Sequence, residues 1–225
     1  MSNRAPVARL VVVPALITLA VTVVRLCGEL AGGPARWFST ASGGGSAWLG
    51  ITWLVPVFGI WFGHRLARAG EVLPRRALGV HALAVMVYIG GFQFVIRALP
   101  FDTSTRDGMV SQLLAMGAVS VLAAALAAWA WPALFMIGLR YALLARLPIV
   151  VITAIAAFAG WDVHHVKLGP KDYAGFSPFA LSAWLGYVQL VFWTAFTVAI
   201  GGLFGAVAAR ATRSAIALPR SADDD

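Results

Sequence analysis

Charged side chains are scarce in this chain of 225 residues. They make up 12% of it, and 60% of the residues are hydrophobic, whereas soluble domains contain about 25% charged and about 45–50% apolar residues. The mean hydropathy is +0.84. A soluble core of this size cannot bury so much apolar surface, so the composition excludes a soluble globular domain and favours an integral membrane protein.

Cysteine and the familiar catalytic motifs are also nearly or wholly missing. Cys27 is the single cysteine, so no intramolecular disulfide can form. The sequence contains no Walker loop, no GxSxG and no CxxC, and Gly43 to Gly45 precede no strand-helix unit. These absences exclude soluble catalysis by a known motif and leave open whether the protein is an enzyme.

Long hydrophobic runs predict an all-α, polytopic transmembrane bundle of about six spans. A bilayer core of about 30 Å requires roughly 20 helical residues per span. The turn between the fourth and fifth spans is expected between Trp129 and Pro148, with Arg140 favoured as an interfacial charge of that loop over an intramembrane one. Residues 1–217 form one predicted domain and 218–225 a disordered polar tail. The predicted spans are 7–31, 46–69, 76–99, 109–131, about 140–161 and 179–208.

The distribution of Lys and Arg predicts the orientation. Eleven of these 17 residues fall at the termini and in the even-numbered loops, with Arg140 and Arg146 assigned to the fourth loop, so both termini are assigned to the cytoplasm. We expect a multi-pass protein of a bacterial inner (cytoplasmic) membrane. Topology accounts for the formal charge of +8, so the expected partner is the lipid bilayer and not nucleic acid; membrane-protein partners stay open.

Two spacings predict contacts inside the bundle. Arg25 and Glu29 are four residues apart on the first span, so they are expected to form an ion pair near the outer surface. Gly59 with Gly63, and Gly201 with Gly205, have the GxxxG spacing that permits close approach of helices. We interpret these glycines as packing positions within the bundle.

Polar residues collect at the predicted external ends of the third, fifth and sixth spans. Ionisable groups at membrane depth are functional hypotheses by default because they are costly to place there. If the three ends adjoin, they form a polar cavity that opens outward and binds a ligand. The candidate ligand-binding residues are Gln93, Arg97, Asp102, Asp162, His164, His165, Tyr187 and Gln189.

Two weaker hypotheses concern metal and haem. A helix through the run GWDVHH would place Asp162 and His165 on one face, as metal ligands require. His64 and His81 lie at similar depths on the second and third spans, and on facing helices they could ligate a haem. Neither pattern is specific, so no metal site is predicted and the cofactor is left unknown.

A segment of the chain resembles uncharacterised bacterial multi-pass membrane proteins. The resemblance covers about residues 139–205 and lies in LRYALLARLPIVV, then GWDVHH with a Pro-containing external loop, then QLVFWTAFTVAIGGLFG. The matching positions are Trp161, His164, Gln189, Phe192 and Trp193. The resemblance implies an ordered helical fold and makes His164 and Gln189 notable, but it implies no activity.

Three functions follow from these observations. The first is a membrane protein that binds or passes a small or lipid-like molecule through the outward cavity. The second is an accessory or structural subunit of a membrane complex. The third is a membrane-embedded enzyme, or a metal or haem protein, that uses His164 or His165.

Overall fold

The fold is entirely helical in the residues that a computed structural model describes, which are 7–45, 47–103, 105–167 and 176–217. No β-strand occurs in these ranges, so the predicted all-α bundle is confirmed. The predicted disordered tail, 218–225, lies outside the described residues. The helices are Val7–Leu30 (α1), Ala35–Phe38 (α2), Leu54–Arg68 (α3), Ala77–Ala98 (α4), Arg106–Ala130 (α5), Pro132–Ala159 (α6), Pro178–Tyr187 (α7) and Trp193–Ala217 (α8).

Five segments among the described residues are long and apolar enough to cross a membrane, judged by length and composition. They lie in α1, α4, α5, α6 and the continuous helical segment from α7 to α8. The predicted second span, 46–69, differs because its helix begins only at Leu54 and has 15 residues. At 1.5 Å per residue α3 is about 22 Å long, too short to cross the hydrocarbon core alone.

The turn between α5 and α6 is a single residue, Trp131. Its φ of −154° and ψ of 92° are extended, because the residue before a proline is disfavoured in the helical region. Pro132 then occupies the first position of α6, where its missing N–H is no loss. The turn lies inside the predicted interval, but Arg140 and Arg146 belong to α6 and not to a loop, so their assignment as loop charges is wrong.

Glycines bring α3 and α8 into backbone contact. A Cβ added at Gly59 would overlap the backbone of Gly201, and one added at Gly63 would overlap that of Gly205. The predicted packing of the two GxxxG pairs within the bundle is therefore confirmed. α8 also contacts α4, α5 and α6, so it is the central helix of the bundle.

The larger of the two apolar clusters in the described residues lies in one half of the bundle, and the other half holds buried polar groups. Phe58, Phe62, Trp131, Leu134 and Tyr141 are buried together where α3, α6 and α8 meet. Residues 31–45, 47–53 and 160–167 cover the opposite end of the bundle, where hydrogen bonds join them to each other and to α1. We call this end the capped end.

Gly63→Ala tests the contact between α3 and α8. The added methyl group would meet the Gly205 carbonyl group, and rigid backbone cannot move aside cheaply, so we expect the free energy of unfolding to fall by about 1–3 kcal/mol. The measurement is the thermal unfolding midpoint of the detergent-purified protein. Gly79→Ala in α4 is the matched control because a Cβ there meets nothing within 4 Å. Equal midpoints for the two variants would contradict the close contact.

Candidate ligand-binding cavity

A cavity of about 260 Å³ opens within the capped half of the bundle. Its walls come from α1, the segment 42–52, α6, the segment 164–167 and the α7–α8 segment. The volume is near the lower end of the roughly 300–1,000 Å³ of small-molecule sites. Its polar lining residues are Thr22, Arg25, Ser42, Thr52, Arg146, His164, His165, Lys167 and Gln189.

Arg146 is the deepest charged group of this cavity. It lies at the middle of α6, about 20 Å of helix from either end, and is 4% exposed. Its Nη1 donates to Gln189 Oε1 over 3.3 Å, and its guanidinium lies 4.9 Å from the centre of the Trp193 ring. Its Nε has no partner in the described part of the chain, and no described carboxylate forms an ion pair with it. Arg146 is thus a buried cation without a carboxylate counter-ion among the residues that the structure describes.

A π-helical turn, Val188–Phe192, places Gln189 opposite Arg146. Such turns contain one residue more than an α-turn and often occur at functional sites. Tyr88 in α4 supports the turn, since its hydroxyl donates to the Phe192 carbonyl over 3.1 Å. Val188, Gln189 and Trp193 consequently all line the cavity.

Glu29 joins α1 to the segment after α6. Arg25 Nε donates to Glu29 Oε1 over 2.8 Å, which confirms the predicted ion pair. The same oxygen lies 2.6 Å from His164 Nδ1, and Glu29 Oε2 accepts from the His164 backbone N–H over 3.0 Å. The buried carboxylate is therefore compensated by a cation and by hydrogen-bond donors, as burial requires.

Arg25 also holds the glycine-rich segment after α2. Its Nη2 donates to the carbonyls of Ser39 and Gly44, each over 3.1 Å. Gly43, Gly44 and Gly45 all have positive φ, and a Cβ at Gly44 would overlap the Arg25 guanidinium. Non-helical backbone at membrane depth is tolerated where protein groups satisfy it or where it lines a wet cavity. Within this segment, Ser42 and Gly43 line the cavity.

His165 is held neutral by its surroundings. It is 7% exposed, its ring centre lies 3.9 Å from that of His164, and its Nε2 has no partner among the described residues. Burial, followed by the neighbouring His164, lowers the pKa of His165 to about 3. At neutral pH the residue therefore presents an uncharged imidazole to the cavity.

Three of the eight residues predicted from the sequence line this cavity: His164, His165 and Gln189. Gln93, Arg97 and Asp102 are exposed at and beyond the end of α4, because α4 packs mainly against α5 and α8 and does not reach the cavity. The Asp162 side chain is 78% exposed and pairs with Lys167 over 2.5 Å. Tyr187 faces α5, where its hydroxyl donates to the Leu113 carbonyl over 3.4 Å. Ligand binding by the three lining residues stays a prediction.

The geometry assumed for metal and haem ligation is not found. α6 ends at Ala159 and Gly160 adopts the left-handed conformation, so no helix places Asp162 and His165 on one face. His64 is 3.0 Å from Thr212 Oγ1, whereas His81 packs against Gly202, about 15 Å earlier along α8. The described residues contain no cluster of three His, Cys, Asp or Glu side chains suited to a metal ion.

Sequence reasoning missed the most informative residue, Arg146. It was assigned to the fourth loop because the turn was expected between Trp129 and Pro148, yet Pro148 is tolerated inside α6. A usable signal was present: Arg146 interrupts a long apolar run that has no acidic residue to pair with it. The contribution of Thr22 and Ser42 could not be inferred, because it depends on how the segment 39–52 folds back over α1.

The apolar helices and the buried charges together define a polytopic α-helical membrane protein. No family model matches the chain, and neither a curated protein nor a solved structure matches it. Its function therefore has to be argued from the cavity itself.

The lowered pKa of His165 predicts a pH effect on stability. The unfolded chain takes up a proton at a pKa of about 6.5 and the folded protein only at about 3. Between these values the unfolded state binds more protons, so the free energy of unfolding falls as the pH falls, by up to about 1.4 kcal/mol per pH unit from this residue.

Thermal unfolding midpoints of the detergent-purified protein between neutral pH and the acid limit of solubility measure this effect. We expect the acid-side decline to be shallower in His165→Gln than in the unmodified chain. Parallel curves for the two proteins would show that His165 is not buried in its neutral form.

Proposed function

We propose that the protein binds a small anionic molecule in its cavity from the outer side of a bacterial cytoplasmic membrane. The observation that carries this proposal is Arg146, a buried guanidinium with no described carboxylate partner at the deep end of a cavity. A buried charge is normally paired because desolvation costs several kcal/mol. An anionic ligand supplies the missing partner.

The surroundings of Arg146 favour a ligand over a purely structural role. Gln189 orients one edge of the guanidinium and Trp193 covers one face, while the Nε group remains unbonded among the described residues. A planar guanidinium with free N–H groups binds carboxylate or phosphate oxygens in a bidentate manner. The cavity thus presents a preorganised anion-binding group whose desolvation has already occurred in the fold.

Binding can serve recognition or a step of passage across the membrane. A tightly packed core lies between Arg146 and the end of the bundle opposite the capped end. Passage therefore requires a rearrangement of that core, whereas recognition requires none. We favour recognition as the basic activity and treat passage as an extension of it.

Arg146→Gln tests the proposal, with Arg140→Gln as the matched control. Both residues lie on α6, but Arg140 is exposed. Calorimetric titration of the detergent-purified protein with benzoate and with phenyl phosphate is expected to show binding of at least one anion. Arg146→Gln should weaken it by about 10–100-fold, because a hydrogen bond to a charged group contributes about 1.5–3 kcal/mol, and Arg140→Gln should leave it unchanged.

Stability provides a second readout for the same variants. If Arg146 serves a ligand, Arg146→Gln removes an unpaired buried charge and should keep or raise the thermal unfolding midpoint in the absence of ligand. Loss of stability together with no binding of either anion would refute the proposal. It would also favour the accessory-subunit function, in which Arg146 only holds helices together.

The orientation is a separate part of the proposal. We take α3 together with the non-helical residues before it as one crossing, so the chain crosses the membrane six times. With Arg140 and Arg146 placed in α6, nine Lys and Arg residues against six then favour cytoplasmic termini. In a Cys27→Ala background, Asp162→Cys should react with an impermeant thiol reagent from outside intact cells and Arg68→Cys should not. The reverse pattern would place the cavity mouth in the cytoplasm.

A further inference from the structure

Among the described residues, the charges around the cavity leave one cation without an acidic partner, and this cation is available for a ligand. Arg25 is paired with Glu29 over 2.8 Å and donates to two backbone carbonyls. Lys167 is paired with Asp162 over 2.5 Å at the mouth. Arg146 alone of the lining cations has no acidic partner among the described residues, and His165 is neutral.

One available cation sets the charge of the ligand. A monoanion placed against Arg146 forms a neutral, hydrogen-bonded pair, which is the arrangement that a buried site tolerates. A dianion such as a phosphate monoester would bring a second negative charge for which the described lining has no unpaired cation, and desolvating that charge costs several kcal/mol. The site therefore discriminates against dianions.

The apolar lining side chains and the volume of the cavity determine the size and polarity of the rest of the ligand. Ile51, Ile149, Leu185 and Val188 line the cavity together with the ring of Trp193. The four aliphatic side chains and the face of the Trp193 ring offer apolar contact, as in most small-molecule sites, and the hydroxyl groups of Thr22, Ser42 and Thr52 line other parts of the cavity. With a volume of about 260 Å³, the cavity suits a compact apolar body and not a long acyl chain.

His165 adds a second polar contact to the same cavity. Its Nε2 is buried and without a partner in the described ranges, and His165 lines the cavity. An unsatisfied buried polar atom costs about 1–3 kcal/mol. Because Nε2 is buried, a ligand hydroxyl reaches it only when the His165 side chain turns toward the cavity. That contact then removes the cost for either tautomer of the imidazole, because a hydroxyl both donates and accepts.

We infer that the cavity selects a compact monocarboxylate with an apolar body and a hydroxyl group, the carboxylate on Arg146 and the hydroxyl on His165. This inference rests on the proposed anion-binding function and specifies its ligand class. Arg146 determines the charge of the ligand, and His165 determines the position of its polar substituent.

Three probes of similar size test the preference for a monoanion, which we call the charge rule, on the full chain in detergent. They are benzoate, benzamide and phenyl phosphate. At slightly alkaline pH, where phenyl phosphate is a dianion, we expect the dissociation constant of benzoate to be at least 10-fold lower than that of phenyl phosphate. Benzamide, which is neutral, should show no binding. Phenyl phosphate binding as tightly as benzoate would overturn the charge rule while leaving the proposed function intact.

The three hydroxybenzoate isomers test the role of His165. At least one isomer should bind at least five-fold more tightly than benzoate, since its hydroxyl reaches His165 Nε2. In His165→Leu the ratio of the dissociation constants of benzoate and of that isomer should fall to about one, and the thermal unfolding midpoint of the variant checks that it is folded. If no isomer exceeds benzoate, or if the advantage persists in His165→Leu, the hydroxyl contact is refuted.

Failure of the two proposals can be told apart. If neither benzoate nor phenyl phosphate binds to the unmodified chain, the proposed function itself fails. If an anion binds and the binding depends on Arg146, the function stands, and the order of affinities among the probes decides the ligand class.

Discussion

Backbone contact between α3 and α8 at paired glycines constrains the rest of the molecule. Gly59 and Gly63 lie directly against Gly201 and Gly205, and this contact fixes a short helix against the central one. Since α3 begins only at Leu54, the capped half of the bundle has no helix at the place that a longer α3 would occupy. That space is filled by the irregular segment 39–53 and by the cavity. A full-length second span would have closed the region in which Arg146 lies.

Charged residues in the capped half have two different roles. Arg25 and Glu29 satisfy backbone groups that no helix satisfies: Arg25 donates to the carbonyls of Ser39 and Gly44, and Glu29 accepts from the N–H of His164. They also neutralise each other. In the described structure Arg146 neither satisfies a backbone group nor neutralises a carboxylate. Arg25 and Glu29 therefore maintain the fold, whereas Arg146 is free to bind a ligand. The distinction depends on contacts, because all three side chains are similarly buried.

The lengths of the hydrophobic runs and a few residue spacings were sufficient to predict most of the fold but only part of the site. Four predicted spans correspond to α1, α4, α5 and the α7–α8 segment because apolar runs of about 20 residues leave few alternatives in a membrane. The i, i+4 pair and the GxxxG contacts were also predictable, since each depends on helix geometry alone. The start of α6 was not predictable. Pro132 begins the helix whereas Pro148 lies inside it, and the sequence does not show which proline marks the turn. The segment 39–53 folds by tertiary contacts, so the side of the cavity that it forms could not be anticipated.

The π turn at Val188–Phe192 changes the phase of the last long helical segment. Each residue of an α-helix advances about 100° around the axis, and the turn inserts one additional residue. A helical wheel drawn continuously through residues 178–217 would therefore assign the bundle-facing and lipid-facing positions of α7 or of α8 to the wrong sides. Sequence comparisons across this region should accordingly permit a one-residue gap between Val188 and Phe192, since a chain with a regular helix there can have the same α8 contacts without the residue that brings Gln189 to Arg146.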